Sequence, residues 1–265
     1  MAVSILSFAF DENSSFSKGP AKAPAAIVEA LTQGSLNKGT ENGQLITFDE
    51  NVFLVPEQEV SSGDEYVDSI ASQITRQTTK GRKTLSLGGD HSISFPIIKA
   101  LHQHYGRLNI VHIDAHSDLY DEFKGNKYSN ACPFARVMEQ ELALSLHQFG
   151  IRTLTQHQVE QADRFGVNVY QMKDWPTKLP ALDGPVYLSI DIDGIDPAFA
   201  PGVSHREPGG LTSREVINLI HKIKGPLVGA DIVEFNPEFD VDGITANLSA
   251  KLVKECLGKM LECEV

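Results

Sequence analysis

The segment LNIVHIDAHSD, residues 108–118, decides the fold class of this chain. Its first six residues are mostly apolar and rich in β-branched side chains, which is typical of a strand buried on both faces of a parallel sheet. Asp114, His116 and Asp118 then follow at every second position, and an extended segment would point all three side chains the same way. The pattern predicts a buried strand whose carboxyl end carries chemically reactive groups.

Further apolar runs along the chain have the same strand-like character. They are Val3–Phe8, Gln44–Val55, Thr84–Leu87, Val167–Tyr170, Val186–Ile192 and Leu227–Val233. Helical spacing or capping signals mark the segments between them, at Pro24–Leu31, Val67–Ile74, Ser94–Tyr105, Thr212–Ile220 and Ile244–Leu261. This alternation predicts an α/β fold with a mostly parallel sheet and helices on both faces. Without a repeat or a strong linker, residues 1–265 are expected to form a single domain.

The composition narrows the class of partner. The chain has 265 residues and a formal net charge of −12, which disfavours nucleic acid and anionic membrane surfaces because both attract basic patches. A cationic small molecule is compatible with that charge. Cys132, Cys256 and Cys263 form no CxxC pair and favour a reducing compartment. The start MAVSILSFAFDENSS has no basic leader region, so we expect a cytoplasmic protein.

Acidic and imidazole side chains recur where four of the apolar runs end. Besides the first segment, GGDHSIS supplies Asp90 and His91, DIDGID supplies Asp191, Asp193 and Asp196, and VEFNP supplies Glu234. The carboxyl ends of parallel strands meet at one edge of a sheet, where ligands bind. One such aspartate is usually a helix cap. So many carboxylates packed together without cations would repel one another strongly, which indicates a metal site.

A charge count favours two divalent ions. Asp114, Asp118, Asp191 and Asp193 carry four negative charges, and His91 and His116 would bind as neutral imidazoles. Oxygen ligands with only two nitrogens favour two Mn²⁺ ions, with Ni²⁺, Co²⁺ or Zn²⁺ as possible substitutes. Two neighbouring ions lower the pKa of a shared water towards neutrality, and Asp118 is placed to accept a hydrogen bond from the resulting hydroxide.

The sequence resembles the arginase and agmatinase (ureohydrolase) family. The motifs that carry the resemblance are GGDHSIS at 88–94, DAHSD at 114–118, SIDIDGIDPAFAPGV at 189–203 and VEFNP at 233–237. The flanking segments NSSFSKGPAKAP, GNKYSNACPFARVME and SHREPGG are similar to plant-type arginases and agmatinases and their bacterial relatives.

The resemblance implies a three-layer αβα sandwich that assembles as a homo-oligomer, a trimer or hexamer. It implies that one Mn²⁺ is held by His91, Asp114, Asp118 and Asp191. It implies that the other Mn²⁺ is held by Asp114, His116, Asp191 and Asp193, with Asp114 and Asp191 bridging. Glu234 would pair with the guanidinium or amidinium of the substrate. The implied reaction is hydrolysis of agmatine, arginine or a related guanidino acid to urea and an amine.

One residue departs from the family pattern. Asn130 stands in YSNACPF where typical members have a histidine that passes a proton to the leaving amine, and asparagine cannot do so near neutral pH. Either another group moves the proton, or the substrate differs, or turnover is slow. Asn130 and His205 are candidate substrate-binding residues, and His205 is also a candidate replacement for the missing histidine.

Two alternative functions therefore stay open. One is a formimidoylglutamase that releases formamide, since such enzymes often lack this histidine, and the other is a low-activity metal-binding family member. Thr155 occupies the place where animal-type arginases bind the substrate amine through an aspartate. Arg206 either receives a substrate carboxylate or is a solvated surface charge. His112 is expected to support a ligand, and Cys132 to be a small buried side chain.

Overall fold

The computed structural model describes residues 2–262, so Met1 and residues 263–265, which include Cys263, lie outside the described residues. The described chain forms one sheet of eight parallel strands in the order β2-β1-β3-β8-β7-β4-β5-β6. The strands are β1 Val3–Ser7, β2 Val52–Leu54, β3 Lys83–Leu87, β4 Leu108–Ile113, β5 Ala143–Ile151, β6 Asn168–Gln171, β7 Val186–Asp191 and β8 Leu227–Val233.

Helices cover both faces of the sheet. They are α1 Ala23–Gln33, α2 Tyr66–Thr78, α3 Ser94–Tyr105, α4 Pro133–Glu139, α5 Gln156–Phe165, α6 Ser213–Lys222 and α7 Ile244–Leu261. Helices α1, α6 and α7 pack on one face and α2 to α5 on the other, which gives two apolar clusters. Successive residues of β4 alternate between them, Ile110 in one cluster and Val111 in the other. The predicted three-layer αβα sandwich is confirmed.

Local signals explain several element boundaries. Pro24 lies in the first turn of α1, where its missing N–H costs nothing. Thr212 and Glu215 form the predicted capping box before α6, with each side chain bound to the other's backbone N–H. Among residues 2–262, no helix is both long and apolar enough to cross a membrane.

Two strand predictions are wrong. The run Gln44–Val55 contains only the three-residue strand Val52–Leu54, because Asp49 adopts a left-handed conformation and Asn51 accepts the backbone N–H of Thr47, which closes a turn. The apolar runs also leave out the nine-residue strand β5. Its sequence, ALSLHQFGI, follows the helix-forming stretch MEQEL and carries polar His147 and Gln148, which hide the strand pattern.

The sheet order places the reactive groups together. β3, β8, β7 and β4 are consecutive neighbours at the centre of the sheet, and they are the four strands whose carboxyl ends carry the predicted ligands and Glu234. The acidic motifs, although far apart in sequence, therefore meet over the middle of one sheet edge.

Candidate metal centre and pocket

Three carboxylates surround one nitrogen of His91. Its Nδ1 lies 3.1 Å from Oδ2 of Asp114, 3.1 Å from Oδ2 of Asp118 and 3.1 Å from Oδ2 of Asp191. This nitrogen is buried and makes no hydrogen bond within the described chain. Ligand atoms at right angles around an ion with bonds of about 2.1 Å lie roughly 3 Å apart. The arrangement fits a divalent cation between the four side chains.

The other side of the His91 ring is fixed by a chain of hydroxyl groups. His91 Nε2 donates to Ser189 Oγ at 2.9 Å, because the Ser189 hydroxyl itself donates to Asp231 Oδ1 at 2.6 Å. Asp231 is fully buried and also accepts the hydroxyl groups of Ser94 and Tyr187. With its proton on Nε2, His91 presents the Nδ1 lone pair to the carboxylates, as a metal ligand must.

A second group of candidate ligands shares Asp114 with the first. His116 Nδ1 lies 3.3 Å from Asp114 Oδ1 and 3.3 Å from Asp193 Oδ2. Asp114 therefore turns one carboxylate oxygen to each histidine. His112 Nε2 donates to Asp114 Oδ2 at 2.8 Å, and its other nitrogen accepts from Gln148, so His112 holds this shared carboxylate in place.

The ligands meet through turns rather than through an extended segment. The chain bends at Ala115 and His116, the backbone N–H of His116 donates to Asp114 Oδ1, and Asp118 adopts a left-handed conformation with φ of 51°. The expected extended DAHSD segment is therefore wrong, because a side chain that accepts the N–H two residues on favours a turn. Asp191 likewise accepts the N–H of Asp193 at 2.7 Å.

The electrostatics of the cluster call for added positive charge. Burial and the neighbouring charges of Asp193 and Asp114 raise the pKa of Asp191 well above its ordinary value. Burial raises the pKa of Asp118 to about 6. Burial lowers the pKa of His116, but the charges of Asp193 and Asp114 outweigh it and hold that pKa at about 12. The raised pKa values mean that these side chains hold protons when no other positive charge is near. Divalent cations would supply that positive charge instead.

Glu234 lies beside this cluster with one oxygen free. Its Oε1 accepts the backbone N–H of His91 at 2.9 Å and the amide of Asn130 at 2.9 Å. Its Oε2 accepts no hydrogen bond from residues 2–262, and the side chain lines the adjoining pocket. Burial, with Asp90 adding to it, raises the pKa of Glu234 to about 8, while the Asn130 hydrogen bond opposes that rise. A planar cation would satisfy the free oxygen.

Asn130 ties Glu234 to a surface loop. Its Oδ1 accepts the backbone N–H of Ser15 at 3.0 Å, and its own backbone N–H donates to the carbonyl of Asn13. This amide is therefore a fixed hydrogen-bond bridge, with the donor side towards Glu234 and the acceptor side towards the loop.

The pocket above the cluster has a volume of about 470 Å³. Its acidic side is lined by His116, Asp118, Asp191, Asp193 and Glu234. Its other sides include Ser15, Tyr120, Phe123, Asn130, Arg152, Thr153, Leu154, Thr155, Gln158 and His205. The ring of His205 lies 5.4 Å from the ring of His116 and 5.3 Å from that of Phe16, at the rim. Burial lowers the pKa of His205, so its neutral form is favoured.

Several conspicuous residues lie outside the ligand set. Asp90 accepts the N–H groups of Ser92 and Asn13, and Asp196 accepts those of loop residues 198, 209 and 210, so both act as caps. Arg206 is exposed, donates to the carbonyl of Pro201 and does not line the pocket. Cys132 is buried, and burial raises the pKa of its thiol to about 12, far from that of a nucleophile.

Comparison with known proteins agrees with this geometry. A model of the arginase family matches residues 1–258. The chain belongs to the arginase family. It is 44% identical to arginase 1, mitochondrial, of Arabidopsis thaliana over 98% of this chain and 81% of that protein. It is 37% identical to the agmatinase of Bacillus subtilis (strain 168) over 76% of this chain and 70% of that protein.

Solved structures of family members superpose closely. The arginase from Medicago truncatula matches with a TM-score of 0.92 and 38% identity, covering 98% of this chain and 87% of that one. The proclavaminate amidino hydrolase from Streptomyces clavuligerus matches with a TM-score of 0.86 and 28% identity, covering 98% and 91%. Formimidoylglutamase from Bacillus subtilis subsp. subtilis str. 168, at 23% identity, shares the fold alone.

Family membership confirms the predicted class of reaction, metal-dependent hydrolysis of a guanidino compound. The comparisons do not favour the formimidoylglutamase alternative, because that enzyme is only a distant structural neighbour. The expected cytoplasmic location is contradicted, because similar plant arginases are mitochondrial proteins. An acidic composition and unpaired cysteines fit any reducing compartment, and they could not separate the cytoplasm from the interior of an organelle.

Several pocket residues gave no signal in the sequence. Ser15, Tyr120, Phe123, Arg152 and Gln158 reach the pocket from loops or from the first turn of a helix. No local motif marks them, because their positions depend on how loops fold over the sheet edge. Recognition of β5 would have shown that Arg152 directly follows a strand end, and so would have placed it near the ligands.

Proposed function

We propose that this arginase-family chain is a binuclear manganese hydrolase that releases urea and an amine from a guanidino compound. One observation carries the proposal. His91 Nδ1, which is buried and has no hydrogen-bond partner among residues 2–262, faces three carboxylate oxygens at 3.1 Å, and Glu234 lines the pocket beside them. The ligands proposed for the two ions are His91, Asp114, His116, Asp118, Asp191 and Asp193.

The residues divide the work between binding and proton handling. Two divalent cations held by the six ligands would supply a bound water of lowered pKa as the nucleophile. Glu234 Oε2 accepts guanidinium N–H groups and holds the planar cation against the acidic side of the pocket. Asp118, which lines the pocket next to His91, accepts a hydrogen bond from the attacking water and so orients it.

Departure of the amine needs a proton that Asn130 cannot give. The amide of Asn130 is already committed to Glu234 and to the Ser15 backbone. His205 lines the same pocket, and neither of its ring nitrogens has a hydrogen-bond partner in the described chain. We assign the proton transfer to His205, which lies on a different loop from the missing histidine. As a neutral imidazole it would accept the proton released by the attacking water and pass it to the leaving amine.

The test is a product assay after metal replacement. Purified protein is stripped with a chelator, reloaded with Mn²⁺, Ni²⁺, Co²⁺ or Zn²⁺, and assayed for urea from arginine, agmatine and guanidino acids, with formamide from formimidoylglutamate measured in parallel. Asp193→Ala should abolish urea release and reduce the bound metal. The matched control Asp64→Ala, at an exposed site, should change neither. Formamide alone, or no product with any metal, would contradict the proposal.

We also propose a homo-oligomer, a trimer or hexamer, for which sedimentation equilibrium is the direct measurement.

A further inference from the structure

One wall of the pocket is built by the loop after β5 and the first turn of α5. Its only cationic side chain, Arg152, is already fully used. Nε donates to Glu207 O, Nη1 to Gly150 O and Gly194 O, and Nη2 to Asp193 O and Glu207 O. A guanidinium has five N–H groups, so none is left for a substrate carboxylate. Arg152 holds the loop against Asp193 rather than binding the substrate.

Gln158, unlike Arg152, has N–H groups that are free to bind a substrate carboxylate. Its Oε1 accepts the backbone N–H and the hydroxyl of Thr155, in the capping box of α5. A backbone N–H can only donate, so this contact fixes which end of the amide is oxygen. The amide nitrogen then faces the other way and donates to no acceptor among residues 2–262. Gln158 is only 4% exposed and lines the pocket.

The surroundings of that nitrogen favour negative charge. Gln158 belongs to the first turn of the ten-residue helix α5, whose N-terminus carries a partial positive charge and unpaired N–H groups. Thr155, the N-cap, carries a neutral hydroxyl group. The residues lining this wall, 152–155 and 158, include no carboxylate. An ammonium group would meet donors and a like partial charge here.

We propose that Gln158 and the N-terminus of α5 receive the carboxylate end of the substrate, which makes the substrate a guanidino acid without an ammonium group. The proposal rests on the proposed function, because it places the guanidinium at Glu234 and the carboxylate at Gln158. Agmatine, which ends in an ammonium, is disfavoured, and arginine, which carries both groups, falls between the two.

A pair of substrates tests this directly. 4-Guanidinobutanoate and agmatine have similar lengths and differ in their terminal charge. The Mn²⁺-loaded protein should show a kcat/KM roughly 10- to 100-fold higher for the guanidino acid, the range for a hydrogen bond to a charged group. Gln158→Glu should reverse that preference, and Gln158→Leu should lower kcat/KM for the acid without improving agmatine.

We expect helix α5 to stay intact in Gln158→Glu. The capping box of α6 is built from Thr212 and Glu215, so glutamate serves at the same position of the same motif. Gln156→Glu is the matched control, since it adds the same charge to the same turn at an exposed side chain outside the pocket lining. It should leave the substrate preference unchanged.

The outcomes separate the two proposals. A wild-type preference for agmatine, or a preference unaffected by Gln158→Glu, would overturn the assignment of Gln158. If no substrate releases urea, the proposed function fails, and calorimetric binding of 4-aminobutanoate and putrescine decides the assignment of Gln158. Tighter binding of the amino acid, lost in Gln158→Glu, supports it, and equal binding of the two compounds overturns it.

Discussion

The amide nitrogen of Asn130 donates to Oε1 of Glu234 at 2.9 Å, and so turns the other carboxylate oxygen towards the pocket. The same Oε1 accepts the backbone N–H of His91, a proposed metal ligand. Glu234 is therefore held from two sides before any substrate arrives. Asparagine at this position cannot transfer a proton near neutral pH, but it orients Glu234, the group that we propose binds the guanidinium.

Removing that hydrogen bond should weaken substrate binding. In Asn130→Leu, Glu234 loses one of its two donors, and we expect kcat/KM for the best guanidino substrate to fall by roughly 10- to 100-fold. Steady-state urea release measures the change. Ser129→Ala is the control, because the Ser129 hydroxyl donates to the oxygen of the same amide at 3.2 Å and accepts the backbone N–H of Ala131, and neither bond involves Glu234. Equal losses in both variants would show that the effect is structural.

The hydroxyl relay behind His91 should set metal affinity. Ser189→Ala frees the His91 ring from Asp231, and we expect the affinity for Mn²⁺ to fall by about 10- to 100-fold, as is usual when such a supporting contact is lost. Calorimetric titration of the metal-free protein with Mn²⁺ gives the dissociation constants. Ser86→Ala is the matched control, since Ser86 is a buried serine on another central strand, β3, and its hydroxyl has no partner within residues 2–262. An unchanged Ser189→Ala affinity would refute the relay.

Gly150 should be intolerant of any side chain. Its φ is +89°, and a Cβ there would lie 2.8 Å from the carbonyl oxygen of Asp114. We expect Gly150→Ala to cost about 1–3 kcal/mol of unfolding free energy and to weaken metal binding, because Asp114 must move. Gly166 is the control, because its φ is +65° and a Cβ there would have no neighbour within 4 Å. Gly166→Ala should cost roughly 1 kcal/mol and leave metal binding intact. Equal metal affinity in both variants would contradict the expectation.

An ion pair remote from the pocket should make stability depend on acid. The hydrogen bond from Arg214 lowers the pKa of Glu41 from 4.5 to about 2. Because the folded-state pKa lies below the unfolded one, the stabilisation is present above pH 4.5 and is lost as the pH falls from 4.5 to about 2. Both side chains are exposed enough that the effect will be small. Urea denaturation of Arg214→Ala at pH 7 and pH 3 should show a smaller destabilisation at pH 3, and a loss of equal size at both pH values would disprove the linkage.

The grouping of the candidate ligands at one sheet edge could be predicted from the sequence, because each of them follows a strong apolar strand. Asp114 and Asp191 end strands whose burial on both faces is visible in the sequence, and parallel strands must place such ends at one edge. The turn geometry could not be predicted, since the bend at His116 depends on a side-chain hydrogen bond that competes with extended backbone.

The roles of residues on loops could not be predicted from the sequence. No motif in the sequence marks Arg152, yet it donates to carbonyl groups up to 55 positions away, at Glu207. The role of Gln158 likewise appears only when the capping box shows which of its two amide atoms is free. β5 is hidden in the sequence because its polar residues are paired inside the fold, His147 with Tyr170 and Gln148 with His112. Such pairing depends on tertiary structure and leaves no periodic pattern in the chain.

The position of β8 has a consequence for how the chain folds. β8 follows the other seven strands in sequence but lies between β3 and β7, in the middle of the sheet. Until it is inserted, the first three strands and the next four form separate blocks with two open strand edges, which are prone to associate with other chains. Glu234, at the end of β8, binds the N–H of His91 across 143 positions. We therefore expect slow folding whose late step is the insertion of β8 between β3 and β7.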